Sequence, residues 1–121
     1  MKLYLAGPMR GIPNFNFPAF DYAAEKLRAA GFYVFSPAER DRDIHGTELE
    51  DNASGDEKEA AVKVGFSLRD ALGADTAWIS AEADGIALLP GWEKSSGANA
   101  ELALARALGL TVITLGKEFV Q

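Results

Sequence analysis

The chain has 121 residues, of which 48% are hydrophobic and 25% are charged, a composition typical of one globular domain with its own core. The sequence contains no cysteine, which excludes disulfides, zinc thiolates and cysteine nucleophiles. Its single histidine, His45, argues against a histidine metal cage or a Ser-His-Asp triad. The formal net charge of -6 argues against a nucleic acid polymer as the main ligand, although a small anion can still bind to backbone amides and one arginine.

Short apolar runs and an early interruption argue against membrane insertion or export. The longest runs are far too short to span a bilayer, and Gly7-Pro8 interrupts the segment in which a signal peptide would have its apolar core. No repeat or low-complexity linker divides the sequence. We therefore expect a cytoplasmic protein without membrane contacts that forms one domain over residues 1–121.

The first predicted strand is Lys2–Ala6, whose apolar residues suit a buried position in a parallel sheet. It ends at a turn over residues 7–11, in which Gly7 lets the backbone approach a ligand closely and Arg10 is the only cation. A helix is predicted from residue 18 to about residue 30, because its apolar residues recur with helical spacing.

The middle of the chain gives weaker signals. Residues 32–35 are predicted to form the second strand. Residues 38–55 are acidic and polar without a sustained period, so we expect an irregular surface excursion over the strand ends. Helical character resumes over residues 56–82, with predicted breaks at Gly65 and Gly73.

Residues 83–114 read as strand, loop, helix and strand, the order of a βαβ unit. Two apolar runs, 85–89 and 110–114, enclose a Gly/Ser-rich loop over residues 90–97 and a helix. The whole pattern predicts an α/β fold, a Rossmann-like (flavodoxin-like) three-layer sandwich with a parallel sheet of four or five strands. In such sheets ligands bind at the carboxyl ends of the strands, where this loop falls.

Glu101 is the candidate nucleophile or base of this unit. It stands about one turn into the last helix, where the helix dipole helps to keep a carboxylate ionised, and it should point towards the strand ends. A solvated helix glutamate is the alternative, and position alone favours it. The small and apolar flanking residues weaken that alternative, because they leave Glu101 as the only acid in a helix that packs closely on its neighbours.

An anion-binding site is predicted at Ser95, Ser96 and Gly97, because hydroxyls and amides at the start of a helix bind phosphate well. The alternative is that Ser96 only caps the helix, which is worth about 1 kcal/mol, and both roles can hold together. The stretch is not a Walker loop, because the Gly-Lys-Ser/Thr ending is absent.

Asp75 is the candidate second carboxylate. Two neighbouring acids permit a division of labour in which one is ionised and the other protonates a leaving group. Asp70 competes with it one turn earlier, and an ordinary aspartate near a helix start is the alternative interpretation. Tyr4 should be buried in the first strand, where its hydroxyl needs a partner that a carboxylate at the strand ends can provide.

The remaining candidates are aromatic or lie elsewhere in the sheet. Trp92 and the pair Phe15 and Phe17 suit stacking on a flat base, although packing is the simpler interpretation. Asp84 precedes the third strand, at the wrong end of the sheet for catalysis, and is predicted to be a cap or turn residue. His45 is expected on the surface.

Two motifs of this sequence resemble those of the nucleoside 2-deoxyribosyltransferase family. The first is Tyr4-Leu-Ala-Gly-Pro8; the second is Ala83-Asp84 before an apolar strand and a loop, followed by Ser95-x-Gly97-x-x-x-Glu101. The superfamily also contains the 2'-deoxynucleoside 5'-monophosphate N-glycosidases, and this sequence resembles its small phage-type members with LLPGWE-x-S-x-GA-x-x-E. The resemblance covers essentially the whole chain, more loosely over residues 38–63.

The resemblance implies catalytic roles for three residues. The family's nucleophilic glutamate falls on Glu101, and the tyrosine that orients this glutamate falls on Tyr4. The catalytic aspartate of the family falls best on Asp75, with a shift of one residue.

The resemblance also implies a phosphate site. Ser95 matches the serine with which the monophosphate hydrolases hold the 5'-phosphate, whereas transferases that act on free nucleosides have an acid there. Arg10 matches a phosphate-binding arginine of the hydrolases, and Pro8 stands where those enzymes have another phosphate-binding serine. Ser95 and Arg10 together favour a nucleotide over a free nucleoside.

The implied function is cleavage of the N-glycosidic bond of a 2'-deoxynucleotide, either by hydrolysis to base and deoxyribose 5-phosphate or by transfer of the sugar between bases. It needs no metal or organic cofactor. A homodimer or larger homo-oligomer is expected, because in the family a neighbouring subunit completes the site. The alternative from another class is a non-catalytic nucleotide-binding or sensing domain on the same scaffold.

Overall fold

Four short strands form one parallel sheet in a computed structural model that describes residues 1–45 and 67–120. The strands are β1 (Lys2–Ala6), β2 (Tyr33–Phe35), β3 (Gly85–Leu88) and β4 (Thr111–Thr114). They lie in the order β2-β1-β3-β4, so β1 and β3 are the inner strands. Tyr4 of β1 pairs with Phe35 on one side and Ile86 on the other, and the carboxyl ends of the strands lie along one edge of the sheet.

The helices cover both faces of this sheet. Among the described residues the α-helices are α1 (Phe17–Ala29), α2 (Pro37–His45), α3 (Leu68–Glu82) and α4 (Ser96–Ala107). Short 3-10 helices lie at Pro13–Asn16, Trp92–Lys94 and Lys117–Phe119. Helix α1 packs on one face, and α4 with the second half of α3 packs on the other, which confirms the predicted three-layer α/β sandwich. None of the helices described is long and apolar enough to cross a membrane.

The alternation of side chains along β1 places Tyr4 on the face of the sheet that α4 covers. Successive strand side chains point to opposite faces, so Leu3 and Leu5 pack on the α1 side while Tyr4 and Ala6 pack on the α4 side. The buried residues of α1 recur three and four apart: Phe17, Phe20, Ala23, Ala24 and Leu27. Burial of each large apolar side chain contributes about 1.5–3 kcal/mol, and these contacts hold β1 in the middle of the sheet.

The irregular excursion predicted over residues 38–55 is wrong in its first part, because α2 covers Pro37–His45. The helix is very polar, and its buried residues are Pro37, Ala38 and Asp41, of which Ala38 and Asp41 are 0% and 3% exposed. A buried aspartate hides the apolar period by which a helix is recognised in a sequence. Residues 46–55 lie outside the described part of the chain.

Gly73 does not break α3, contrary to the sequence-based expectation. The glycine lies on the exposed side of the helix, where it costs about 1 kcal/mol relative to alanine. The buried residues of α3 recur every four positions, at Ala71, Asp75 and Ile79. This continuous packing outweighs the cost of one glycine. Residues 56–66, with the other predicted break at Gly65, are not among the described residues.

Candidate active site

A pocket opens at the carboxyl ends of β1 and β3, the two inner strands. The helices that follow these strands, α1 and α4, lie on opposite faces of the sheet, so a crevice is left between their connections. Ligands of open α/β sheets bind in such crevices. The polar side chains that line it are Tyr4, Arg10, Asp41, Asp75, Ser95 and Glu101.

Tyr4 and Glu101 form a buried pair in this pocket. The hydroxyl of Tyr4, which is fully buried in β1, donates a hydrogen bond to Oε2 of Glu101. Glu101 lies in the second turn of α4 and is only 6% exposed. The fold thus joins two residues that are 97 positions apart in the sequence, and the hydrogen bond fixes the orientation of the carboxyl group.

Aromatic contacts hold the ring of Tyr4 in place. Phe35 of β2 stacks on it with ring centroids 5.7 Å apart, and Trp78 of α3 lies 6.4 Å away. Phe35 and Trp78 stack on each other at 4.8 Å. Offset aromatic contacts of this kind add to the stability gained by burial, so the tyrosine is a rigid support for the carboxyl group.

Burial sets the ionisation of Glu101. Removal from water raises the pKa of its carboxyl group to about 8; the hydrogen bond from Tyr4 opposes this rise, and the charge of Asp75 adds to it. Burial and the nearby carboxylates raise the pKa of Tyr4 well above its ordinary value, so the phenol stays a hydrogen-bond donor. Glu101 therefore gains or loses its proton near neutral pH, unlike an exposed glutamate.

The structure brings Asp75 into the pocket and leaves Asp70 outside it. Asp75 lies on the buried side of α3, is 6% exposed, and its Oδ1 has no hydrogen-bond partner among the described residues. Burial raises the pKa of Asp75 to about 7, and the charge of Asp41 contributes to the rise. Asp70 is exposed in the first turn of α3, where its N–H donates to Oγ of Ser67 at 3.3 Å. Asp75 is thus the carboxyl group suited to exchange a proton with a ligand.

Asp41 is a third buried carboxyl group of the pocket, and the sequence analysis missed it. Its Oδ1 pairs with Nη1 of Arg40 at 3.0 Å. Burial raises the pKa of Asp41 to about 6, while the charge of Arg40 opposes the rise. Pro37 is the sequence signal that could have revealed this helix, because proline is common at the first helical position. In a helix that begins at Pro37, Ala38 and Asp41 lie on the same face, so Asp41 shares the burial of Ala38.

Ser95, rather than Ser96, caps α4, which corrects the expected alternative for Ser96. The Oγ of Ser95 accepts a hydrogen bond from the N–H of Ala98 at 3.1 Å. The Oγ of Ser96 instead accepts one from Nη2 of Arg10 at 2.6 Å, which joins the turn after β1 to the start of α4. The hydroxyl of Ser95 still has its own hydrogen to donate, so it can cap the helix and bind an anion together.

Of the other predicted binding residues, Gly7 and Gly97 line the pocket, and Trp92 does not. A Cβ at Gly7 would lie 2.8 Å from Cβ of Leu89, so this glycine is needed for packing whatever its role towards a ligand. Among the described residues, the side-chain atom that a Cβ at Gly97 would meet is Oγ of Ser95, at an ordinary 3.9 Å. Trp92 packs against the core between the sheet and α4.

Phe15 reaches the pocket through an unusual backbone turn, whereas Phe17 belongs to the core. Asn14, Phe15 and Asn16 have positive φ angles of 57°, 52° and 62°, which is rare for residues with side chains. Nδ2 of Asn16 donates to the carbonyl of Pro8 at 3.0 Å and ties this turn to the loop after β1. Backbone strain of this kind clusters at functional sites, and here it places an aromatic ring in the pocket wall.

The fold and the pocket define an α/β protein with a polar pocket at the carboxyl end of its parallel sheet. The model of the family described as "Domain of unknown function (DUF4406)" matches residues 1–114, and the chain belongs to this family. The matched part contains all the polar residues of the pocket. No curated protein and no solved structure matches the chain significantly.

Proposed function

We propose that the protein cleaves the N-glycosidic bond of a 2'-deoxynucleotide, with Glu101 as the nucleophile. The observation that carries the proposal is the buried hydrogen-bonded pair of Tyr4 and Glu101, with Asp75 in the same pocket. Breaking a bond between sugar and base takes one group that attacks the anomeric carbon and one that protonates the leaving base. Two carboxyl groups in different surroundings can divide these roles. The resemblance to the nucleoside 2-deoxyribosyltransferases supports the same assignment.

In the first step, the ionised carboxylate of Glu101 attacks C1' of the deoxyribose, and the bond from C1' to the base nitrogen breaks. The electron pair of that bond leaves with the base, and Asp75 donates a proton to it. The products are a deoxyribosyl ester on Glu101, a neutral base and an ionised Asp75. The covalent intermediate divides one difficult substitution into two easier ones.

In the second step, water attacks C1' of the ester, and Asp75 takes up the proton that the water loses. This step releases deoxyribose 5-phosphate and restores the carboxylate of Glu101. When a second base attacks in place of water, Asp75 takes up the proton of its nitrogen, and the sugar is transferred. The same side chains thus serve both reactions, with Asp75 acting first as acid and then as base.

Tyr4 favours the ionisation that the first step requires. Its hydroxyl donates a hydrogen bond to Glu101, and this bond lowers the pKa of Glu101. Tyr4 lowers the pKa of Asp75 as well, so it acts on both carboxyl groups. The pKa of Glu101, about 8, still lies above that of Asp75, about 7, so the two groups hold one proton between them near neutral pH, and in the free protein that proton lies more often on Glu101. The first step proceeds from the form in which Glu101 is ionised and Asp75 carries the proton. Activity should fall at lower pH, where both groups are protonated, and at higher pH, where neither is.

The polar side of the pocket favours a nucleotide over a nucleoside. Ser95 and Arg10 line both the pocket and an adjoining depression that also contains Lys94 and Ser96. Two cations, two hydroxyls and the first amides of α4 suit the two negative charges of a 5'-phosphate.

Chromatographic detection of free base tests this proposal. The purified protein is incubated with each 2'-deoxynucleoside 5'-monophosphate and each deoxynucleoside, with and without a second base. Release from monophosphates alone supports the hydrolase and a phosphate role for Ser95 and Arg10. Exchange with free nucleosides alone supports Glu101 and contradicts the phosphate site. Thermal stabilisation by nucleotides without any base release contradicts the enzyme and favours a binding domain.

We also propose that the protein is a cytoplasmic homodimer or larger homo-oligomer. Leu108, which follows α4, and Val112 in the edge strand β4 are 47% and 39% exposed. A subunit interface on this side would remove their apolar surface from water. Size-exclusion chromatography with light scattering tests the assembly, and a monomer at micromolar concentration contradicts it.

A further inference from the structure

Asp41 is a carboxyl group of the pocket to which the proposed reaction assigns no role. It lies in α2, which packs against α3, and it lines the same pocket as Asp75. Both side chains are more than nine-tenths buried, with Asp41 3% and Asp75 6% exposed. Burying two carboxyl groups in one pocket is unfavourable when both are ionised, because each negative charge opposes the other.

The surroundings of the two carboxyl groups differ. Asp41 has a cation, since Nη1 of Arg40 lies 3.0 Å from its Oδ1. Asp75 has an oxygen, Oδ1, without a hydrogen-bond partner among the described residues. The ion pair with Arg40 favours negative charge on Asp41. At Asp75, the charge of Arg40 and the hydroxyl of Tyr4 lower the pKa by less than burial and Asp41 raise it.

We propose that Asp41 is a positioning residue for the proton donor: its carboxylate, paired with Arg40, repels negative charge on Asp75 and so keeps the reactive proton there. The inference rests on the proposed function, because it takes Asp75 as the donor to the leaving base. It adds a residue that acts through Asp75 and contacts no reacting atom.

The charged and titratable groups around Asp75 come from three elements. Tyr4 of β1 lowers the pKa of Asp75 by hydrogen bonding, and Arg40 of α2 lowers it by its positive charge. Asp41 of α2 raises it, in addition to the larger effect of burial. Glu101 of α4 interacts with Asp75 as well, since the charge of Asp75 raises the pKa of Glu101. Among these groups, Asp41 is the carboxyl group that takes no part in the proposed reaction, so Asp41→Asn should release the proton of Asp75 without removing a reacting group.

The closing experiment follows the carboxyl carbon of Asp75 by ¹³C NMR as a function of pH. The resonance is assigned by its loss in Asp75→Asn and then titrated in the wild type, in Asp41→Asn and in a control variant, Asp43→Asn. The control removes the same charge from an exposed position two residues further along α2. We expect the titration midpoint of Asp75 to fall by about one pH unit or more in Asp41→Asn and to stay in place in Asp43→Asn. Equal midpoints in the wild type and Asp41→Asn overturn the inference.

A second variant tests the sign and covers the case in which Asp41→Asn does not fold. Arg40→Gln removes the cation, so the first proton should enter the pair of Asp41 and Asp75 at higher pH than in the wild type. Circular dichroism checks that each variant is folded. A midpoint that moves down in Arg40→Gln overturns the inference.

The rate of base release separates this inference from the proposed function. If both hold, the high-pH limb of kcat/KM moves down together with the Asp75 midpoint in Asp41→Asn, and Asp43→Asn keeps the wild-type profile. A limb that stays in place while the midpoint moves overturns the positioning role. A midpoint that moves in a protein that releases no base supports the coupling of the two carboxyl groups and overturns the proposed reaction.

Discussion

The two ends of the sheet hold their carboxyl groups in opposite ways. At the amino ends of the strands, Glu82 pairs with Nζ of Lys2 at 2.9 Å, and Asp84 accepts a hydrogen bond from the N–H of Lys2 at 2.8 Å. The side chains of the pair between Lys2 and Glu82 are 47% and 49% exposed. At the carboxyl ends, Asp75 and Glu101 are each 6% exposed, and Glu101 is bound by a neutral phenol instead of a cation.

This difference separates acids that support the fold from acids that are available for chemistry. Exposed ion pairs keep most of their hydration, so they cost little and contribute little. Buried carboxyl groups penalise the folded state whenever they are charged, because they have lost their water. Groups retained at such a cost are concentrated in functional sites. The comparison therefore selects three buried carboxyl groups, Glu101, Asp75 and Asp41, without reference to any related protein, and Asp41 is the one of them that has an ion pair with a cation among the described residues.

Replacement of Glu101 should give the largest effect. Glu101→Gln keeps the size of the side chain but cannot form the ester, so we expect base release to fall by at least about 10⁴-fold. Mass spectrometry of the quenched wild-type protein should show a deoxyribosyl phosphate adduct that is absent from the variant. Glu82→Gln, the same change at the other end of the sheet, is the matched control and should retain full activity. An active Glu101→Gln would remove the nucleophile from the mechanism.

Asp75→Asn should have the next largest effect. Loss of the proton donor should lower the rate by about 10³-fold, and by less for substrates whose base departs easily without a proton. The control is Asp70→Asn, because Asp70 lies on the same helix, α3, but is exposed outside the pocket. Steady-state rates for both variants check the prediction. An equal loss in the two would show that the charge of the helix, and not the buried acid, matters.

Tyr4→Phe should have a smaller effect, because it removes a hydrogen bond but no reacting group. We expect a loss of about 10²-fold. The hydrogen bond from Tyr4 lowers the pKa of Glu101, so the low-pH limb of the rate profile should move to higher pH without it. Tyr33→Phe is the control, since Tyr33 is 61% exposed in β2. A reduced rate with an unmoved limb would mean that Tyr4 acts by packing alone.

The sequence predicts those features of the fold and the site that depend on local patterns of residues. The strand β1, the βαβ unit over residues 83–114 and the place of Glu101 at the strand ends all follow from apolar runs, a glycine-rich turn and helical spacing. The sequence also places Asp84 before the third strand, at the end of the sheet away from the pocket. The structure agrees, because Asp84 accepts a hydrogen bond from the N–H of Lys2 at the amino ends of the strands. These features need no knowledge of distant contacts.

The remaining part depends on contacts between distant segments. Asp41 is buried because α2 packs on neighbouring helices, and an aspartate in a polar stretch gives no sign of that. The choice of Asp75 over Asp70 follows from which side of α3 faces the sheet, and the expected break at Gly73 obscured that side. The cap of α4 falls on Ser95 because the helix begins at Ser96, a boundary that two adjacent serines leave open.

The smallest effect concerns the stability of the fold as the pH changes. Burial raises the pKa of Glu101 from 4.5 to about 8, so in this range the unfolded chain releases a proton that the folded protein keeps. The unfolded state is then favoured progressively as the pH rises, and the loss is complete above about pH 8. Glu101→Gln cannot ionise and does not suffer this loss.

Thermal unfolding from pH 4.5 to pH 8 measures the difference. We expect Glu101→Gln to melt close to the wild type at the low end and about 5 °C or more above it at the high end. Glu82→Gln should show no such divergence, because its carboxyl group is exposed and already paired at the amino ends of the strands. Parallel curves for the wild type and Glu101→Gln would mean that Glu101 ionises at no cost in the folded protein. In that case the two ends of the sheet would differ in accessibility but not in electrostatics.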